Sequence, residues 1–312
     1  DDVYQSVIVH RLISDSIDSA LTVPSEAFMA GSTDDLEVDE ISALIAAMDE
    51  MGLTTLSAGL SISDPSRTQL QNLHYLGLEE DPITDLYDSY IVHRLISDSI
   101  DAALDVPDDA FDSVALDDIK VDEISALIEA MVVMNINTLN SSLSFDDPTR
   151  DEIEDLHHIG LGTDPVTDVY DSYIVHRLLS SAIDTVLTVP TEAYMPGSTE
   201  DIKVAEIDHI IVSMDILGVT NVSTITSTIT VANLKGLSAA DVEVLVEANT
   251  DGPNVIIYYL ISDVVDPSNN LFDTLSVLDP VTYPDPDVYY VYDGGLRVRL
   301  KRGSISTALS EL

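Results

Sequence analysis

Six histidines fall in a pattern. His10, His93 and His176 are 83 residues apart, and so are His74 and His157, the latter followed by His158. An imidazole can ligate a metal or move a proton near neutral pH. Two per repeat could be a shared metal site. Against this, no partner follows His157 at the same interval, and the chain has neither an HExxH run nor a cysteine to complete a zinc site. His93 falls at the edge of an apolar stripe, where an imidazole packs and hydrogen-bonds its tip, and that is the reading adopted. The acidic runs DDLEVDE (34–40), EEDPITD (79–85) and DPDVYYVYD (285–293) read as solvated surface. Calcium is the ion they could hold, since it takes about six to eight oxygens. None has the spacing and central glycine of an EF-hand loop. Ser99, in the middle of the stripe, would be a candidate nucleophile. Its counterparts are Ser16, Ala182 and Val264, so a small residue allowing close helix approach is the better reading. With no glycine-rich phosphate loop, GxSxG or kinase motif, no catalytic residue, no cofactor and no enzyme are expected.

These residues recur because the segments carrying them recur. YQSVIVHRLISDSID starts at Tyr4, YDSYIVHRLISDSID at Tyr87 and YDSYIVHRLLSSAID at Tyr170; a fainter copy, VIIYYLISDVVD, starts at Val255. An active site is normally built once. A spacer, adhesin or filament repeats its unit.

Within a copy, Ile91, Val92, Leu95, Ile96, Ile100, Ala103 and Leu104 are spaced for one buried helix face. Arg94 and Asp98 are one turn apart on the opposite face, a surface pair worth a few tenths of a kcal/mol. Asp81-Pro82 and Asp164-Pro165 read as helix starts, and Pro24, Pro107 and Pro190 as stops. Phe28, Phe111 and Tyr194 then read as plugs at the bundle end. A second helix runs from Ile119. Gly52, Asn135 and Gly218 mark its left-handed end, each followed by an apolar residue. A third helix is expected between Asp64-Pro65 and Gly77, and between Asp147-Pro148 and Gly160. In the third copy the Thr-rich run from Val222 to Val231 reads as a strand. Residues 288–302 read as two strands around Asp293-Gly294-Gly295.

The 312 residues carry a formal charge of −45, from 57 acidic and 12 basic side chains, yet 45 % are hydrophobic. Cores can therefore form. The charge repels nucleic acid and anionic membranes and favours cations or basic partners. No apolar run approaches the ~20 residues that span a bilayer. Without cysteine, disulfides are excluded. The start at Asp1 without Met is expected if a signal segment has been removed or if this is part of a longer chain. Four of the basic residues, Arg297, Arg299, Lys301 and Arg302, cluster near the C-terminus and alternate with Leu296, Val298 and Leu300. These seven residues are the expected assembly interface.

The repeated helix, then VPSEAF, then DEISALI and a terminal Met-Gly with an apolar residue, resembles units of very long tandem-repeat surface proteins of bacteria. The likeness covers residues 4–257, and it implies cell-surface or fibre roles. The expected fold is mainly α: a tandem array of ~83-residue three-helix units with a small β-containing C-terminal portion. Its parts are repeat 1 (1–86), repeat 2 (87–169), divergent repeat 3 with the Thr-rich strand (170–257), and a degenerate repeat start plus hairpin (258–312). The expected function is structural: a subunit or segment of an extracellular filament, surface layer or adhesive stalk. Self-association into a homopolymer is the expected partnership, with no nucleic acid, no membrane span and divalent cations as possible ligands. The alternative is a calcium- or ligand-binding surface module.

Overall fold

The computed structural model of the chain describes residues 7–56, 65–78, 89–113, 118–139, 145–161, 172–246, 255–265, 288–293 and 296–301. These residues are mainly helical, with twelve α-helices and two short strands among them. The chain divides into two compact units. The first is Asp1–Leu143 with Ile159–Gly162 and Val169–Val175; the second is Ser144–His158, Thr163–Asp168 and His176–Leu312.

The first unit contains α1 (Val7–Ala20), α2 (Val38–Glu50), α3 (Arg67–Leu78), α4 (Tyr90–Asp101) and α5 (Val121–Val133). Ile17, Ala27, Leu36, Ile41, Leu44, Ile91 and Leu95 form one buried cluster, so residues from two sequence copies share a core. α3 packs against α2, and also against α4 and α5 of the following copy. A short ladder fixes its entry: Arg67 N–H donates to Asn137 O and Leu139 N–H to Pro65 O.

The second unit takes most of α6 (Arg150–Leu161) and of α7 (Tyr173–Val186). It also holds α8 (Val204–Leu217), α9 (Val222–Thr228), α10 (Val231–Gly236), α11 (Ala239–Val246) and α12 (Val255–Val265). α8 packs against α9, α11 and α12. Strands β1 (Val288–Asp293) and β2 (Leu296–Lys301) pair antiparallel, with Val291 opposite Val298.

The ends of the second helices are as the sequence reads. Gly52, Asn135 and Gly218 have φ of 66°, 53° and 64°. The next amide reaches back across the turn: Leu53 N–H to Met48 O, Ile136 N–H to Met131 O and Val219 N–H to Met214 O. This is the paired bonding of a left-handed helix end. The prolines are followed by short 3-10 turns, and Phe28, Phe111 and Tyr194 then bridge to Leu36, Ile119 and Ile202.

Several expectations need correcting. The Thr-rich run is α9, not a strand. Its buried residues are Val222, Ile225 and Ile229, at helical spacing, and this outweighs the β preference of threonine. The third helices start at Arg67 and Arg150, later than Asp-Pro, and reciprocal capping boxes set the start. Ser66 and Gln69 exchange side-chain-to-backbone bonds, as do Thr149 and Glu152. Gly77 and Gly160 are inside their helices rather than after them; their carbonyls accept the N–H groups of Ser89 and Ser172. α4 begins at Tyr90 after an extended Ser89. The Asp81-Pro82 and Asp164-Pro165 pairs are outside the described residues.

Candidate functional site

Arg94 is not a surface residue paired only along its own helix. Its guanidinium grips Asp118 with two nitrogens, Nε on Oδ1 and Nη2 on Oδ2 at 3.1 Å, and both side chains are largely buried. Arg177 does the same with Asp201 at 2.6 and 3.0 Å. Arg11 reaches Asp35 at 3.1 Å while keeping a looser 3.6 Å contact with Asp15. The aspartates stand 24 residues after their arginines, beyond the reach of a helix-periodicity argument.

The recurrent histidines work with a serine one turn later. His93 Nε2 donates to Ile119 O at 2.6 Å, and Ile119 N–H donates to Ser97 Oγ at 3.0 Å. His176 and Ser180 hold Ile202 in the same way, at 2.7 and 3.0 Å. Ser14, beside His10, accepts the N–H of Leu36 at 3.2 Å. The pair closes on both polar groups of one buried residue and fastens the connecting loop to the first helix. Burial pushes His93 down to about 3 and His176 to about 4, so both rings are neutral at physiological pH.

The third-helix histidines link elements of successive copies. His74 Nε2 is 2.9 Å from Ser125 Oγ, and His157 Nε2 is 3.0 Å from Asp208 Oδ1. In the third copy the imidazole has moved to the second helix, where His209 Nε2 is 3.2 Å from Leu245 O. The sequence pattern did not include that residue. Packing with a bonded tip accounts for these rings.

The contact that sequence reasoning missed is a buried carboxylate at the entries of α4, α7 and α12. Glu40 accepts Ser89 Oγ–H at 2.7 Å, Tyr90 N–H at 2.8 Å and Ile91 N–H at 3.2 Å. Glu123 accepts the same three groups from Ser172, Tyr173 and Ile174 at 2.7, 2.8 and 3.1 Å. In the second unit Glu206 accepts Val255 N–H at 2.8 Å and Ile256 N–H at 3.2 Å. Ser89 and Ser172 also cap their own helices, accepting Val92 N–H and Val175 N–H. The first amides of a helix have no partner within it and carry its positive end, so a carboxylate is their natural acceptor. Desolvation raises the pKa of all three acids while these bonds oppose it. Glu206 is pushed up to about 7.

A signal for this site exists in the sequence: Asp-Glu-Ile at 39–41 and 122–124 and Ala-Glu-Ile at 205–207, an acid beside core positions at the repeat interval. Glu40 ends the acidic run 34–40, which masks this signal in the first copy. In that run Asp34 and Asp35 engage Arg11 and Glu40 engages the backbone. Among the described residues no group of three or more His, Asp or Glu is placed to hold a metal ion. No described helix is long and apolar enough to cross a membrane. Of the expected assembly residues, Leu296, Arg297, Val298, Arg299, Leu300 and Lys301 form β2, and Arg302 is outside the described residues.

No protein-family model, curated protein or solved structure matches the chain. The described residues are mainly helical, and one polar contact recurs among them, a buried carboxylate at the entries of α4, α7 and α12.

Proposed function

We propose that this is a structural repeat protein, a subunit or segment of an extracellular filament, surface layer or adhesive stalk. The observation that carries the reading is the recurrence of the carboxylate contact at Glu40, Glu123 and Glu206, each receiving the first amides of a later helix. A chain that copies its joint along its length has a mechanical use for it. An enzyme or receptor needs one differentiated pocket. We read the fold as a tandem array of ~83-residue units, in which α3 serves both its own copy and the next, with a small β portion at the C-terminus. Self-association into a homopolymer follows from this reading, and the basic residues of β2 are suited to steer an encounter with an acidic body.

The test is negative-stain electron microscopy with light scattering of the purified protein, from low to high salt. Fibres or sheets are expected, and more readily at high salt, because screening weakens the repulsion of a −45 chain. A monodisperse compact particle under every condition would overturn the reading.

A further inference from the structure

The same histidine meets different partners in two copies. His74 on α3 and His157 on α6 each contact a residue 51 positions later, Ser125 on α5 and Asp208 on α8. Both rings are buried and both partners are exposed. Each ring makes its bond through Nε2, and each Nδ1 is buried with no hydrogen-bond partner among the described residues. A neutral imidazole suits such a place, because it has one N–H to satisfy and one lone pair to leave bare. A second proton does not. It puts an N–H at Nδ1 where nothing accepts it, and a charge on a ring removed from water. At His157 the Asp208 carboxylate, 3.0 Å away, offsets that charge. At His74 the partner at 2.9 Å is a hydroxyl, which offsets none of it.

The other ionisable groups around the two rings keep this contrast. α4 faces His74 with His93, whose own neighbours are Arg94 and Asp112. α7 faces His157 with His176, neighboured by Arg177 and Asp201. α2 brings Glu50, which accepts the side chain of Asn72 on α3. Along α3 itself the only charged residue is Arg67, whereas α6 carries Asp151, Glu152, Glu154 and Asp155, with Arg150 on Glu154. On α5, Asp122 and Glu129 stand one turn to either side of Ser125; on α8 those positions are Ala205 and Val212. The acids of α5 are thus beside the contact, and that of α8 is in it.

We propose that the α3–α5 contact is an acid-released latch: on acidification α3 leaves α5 while α6 keeps its hold on α8, and the residue opposite the histidine, Ser125 or Asp208, decides which one opens. Burial holds His74 down to about 4 against an ordinary 6.5. The closed latch refuses a proton that the open one takes up, so between those limits the open population rises about tenfold for each pH unit lost. Because α3 packs against α2 as well as α4 and α5, its release unfastens the first copy from the second. The latch belongs to a single molecule and works whether or not molecules assemble.

The test is hydrogen exchange of the full chain, read by mass spectrometry from pH 7.5 to 5 and corrected for the intrinsic pH dependence of amide exchange. In the parent, protection of residues 67–78 is expected to fall about tenfold per pH unit below 6.5, and protection of 150–161 to fall less. Ser125→Asp, at an exposed position, should flatten the first profile, and Asp208→Ser should steepen the second, with protection at pH 7.5 unchanged in both. Equal slopes for the two helices in the parent would overturn the proposal. So would loss of protection by every helix at one pH, or profiles that ignore both substitutions.

Discussion

The carboxylate of Glu123 accepts the backbone N–H of Tyr173 at 2.8 Å across fifty residues of chain, and Glu40 holds Tyr90 at the same distance and separation. The bond joins an acid fully buried on one helix to the opening turn of another. A charge in that position is tolerated because three donors converge on it.

Glu123→Ala should therefore destabilise the first unit by about 3–5 kcal/mol, since it strands two buried amides and a hydroxyl. Glu123→Gln retains one acceptor oxygen and should lose less. Denaturant unfolding of the two variants against the parent checks the order; a loss under about 1 kcal/mol for the alanine variant would mean that water reaches the helix entry.

Arg94→Ala should be as damaging as a core truncation, about 3–5 kcal/mol, because Asp118 would be left buried without its partner. Leu95→Ala should cost ~2–5 kcal/mol as a cavity. A double-mutant cycle on Arg94 and Asp118 isolates the pair. A coupling near zero would return Arg94 to the surface role that helix periodicity assigns it.

Stability should fall as pH drops below neutrality. His74, His93, His176 and His209 have folded values of about 4, 3, 4 and 4 against an ordinary 6.5, all lowered by burial. Between those limits the unfolded chain binds protons that the folded chain refuses, so their contribution is complete above pH 6.5 and lost on acidification. Melting temperatures measured from pH 7.5 to 4 give the slope. A His176→Gln variant should show a shallower one.

Glu206 works in the opposite direction. Its folded value is raised from 4.5 to about 7, so the acid favours the folded state below pH 4.5 and that contribution disappears as pH rises to 7. It amounts to no more than about 3 kcal/mol. Glu206→Gln removes this opposing titration, and the rise of stability from pH 4.5 to 7 should become steeper than in the parent. An unchanged slope would show that Glu206 is ionised throughout.

Asn135 adopts a left-handed φ of 53° where the other copies have glycine. Asn135→Gly should be neutral or slightly stabilising, and Asn135→Ala should cost about 1 kcal/mol. Thermal melts of the pair decide it, and equal melting temperatures would argue against strain at this turn.

Features set by neighbours in the chain were legible in the sequence. The left-handed ends at Gly52, Asn135 and Gly218 follow from residue type alone, and the apolar face of α4 follows from spacing. Contacts set by partners far along the chain were not. Arg94 has an acid one turn away, so the pairing with Asp98 was the economical reading; Asp118 becomes its partner only when the loop carrying it is fastened by His93 and Ser97. Glu40 reads as solvent-facing in an acidic run, since an acid is seldom buried without a partner, and its partners are backbone amides fifty residues away. The Thr-rich run shows the reverse error. Its threonines favour a strand by composition, but the spacing of Val222, Ile225 and Ile229 is that of a buried helix face.

The Glu206 contact is made over 49 residues, where Glu40 and Glu123 use 50 to reach the equivalent amide. One residue has been lost from the intervening stretch and the bond is intact. Register between copies is thus written in the carboxylate and the amides it meets, not in the length of chain strung between them. A slip of one residue in the intervening chain is absorbed while the carboxylate keeps both amides, so the joint corrects a small error of length that a continuous ladder would pass on to the next element.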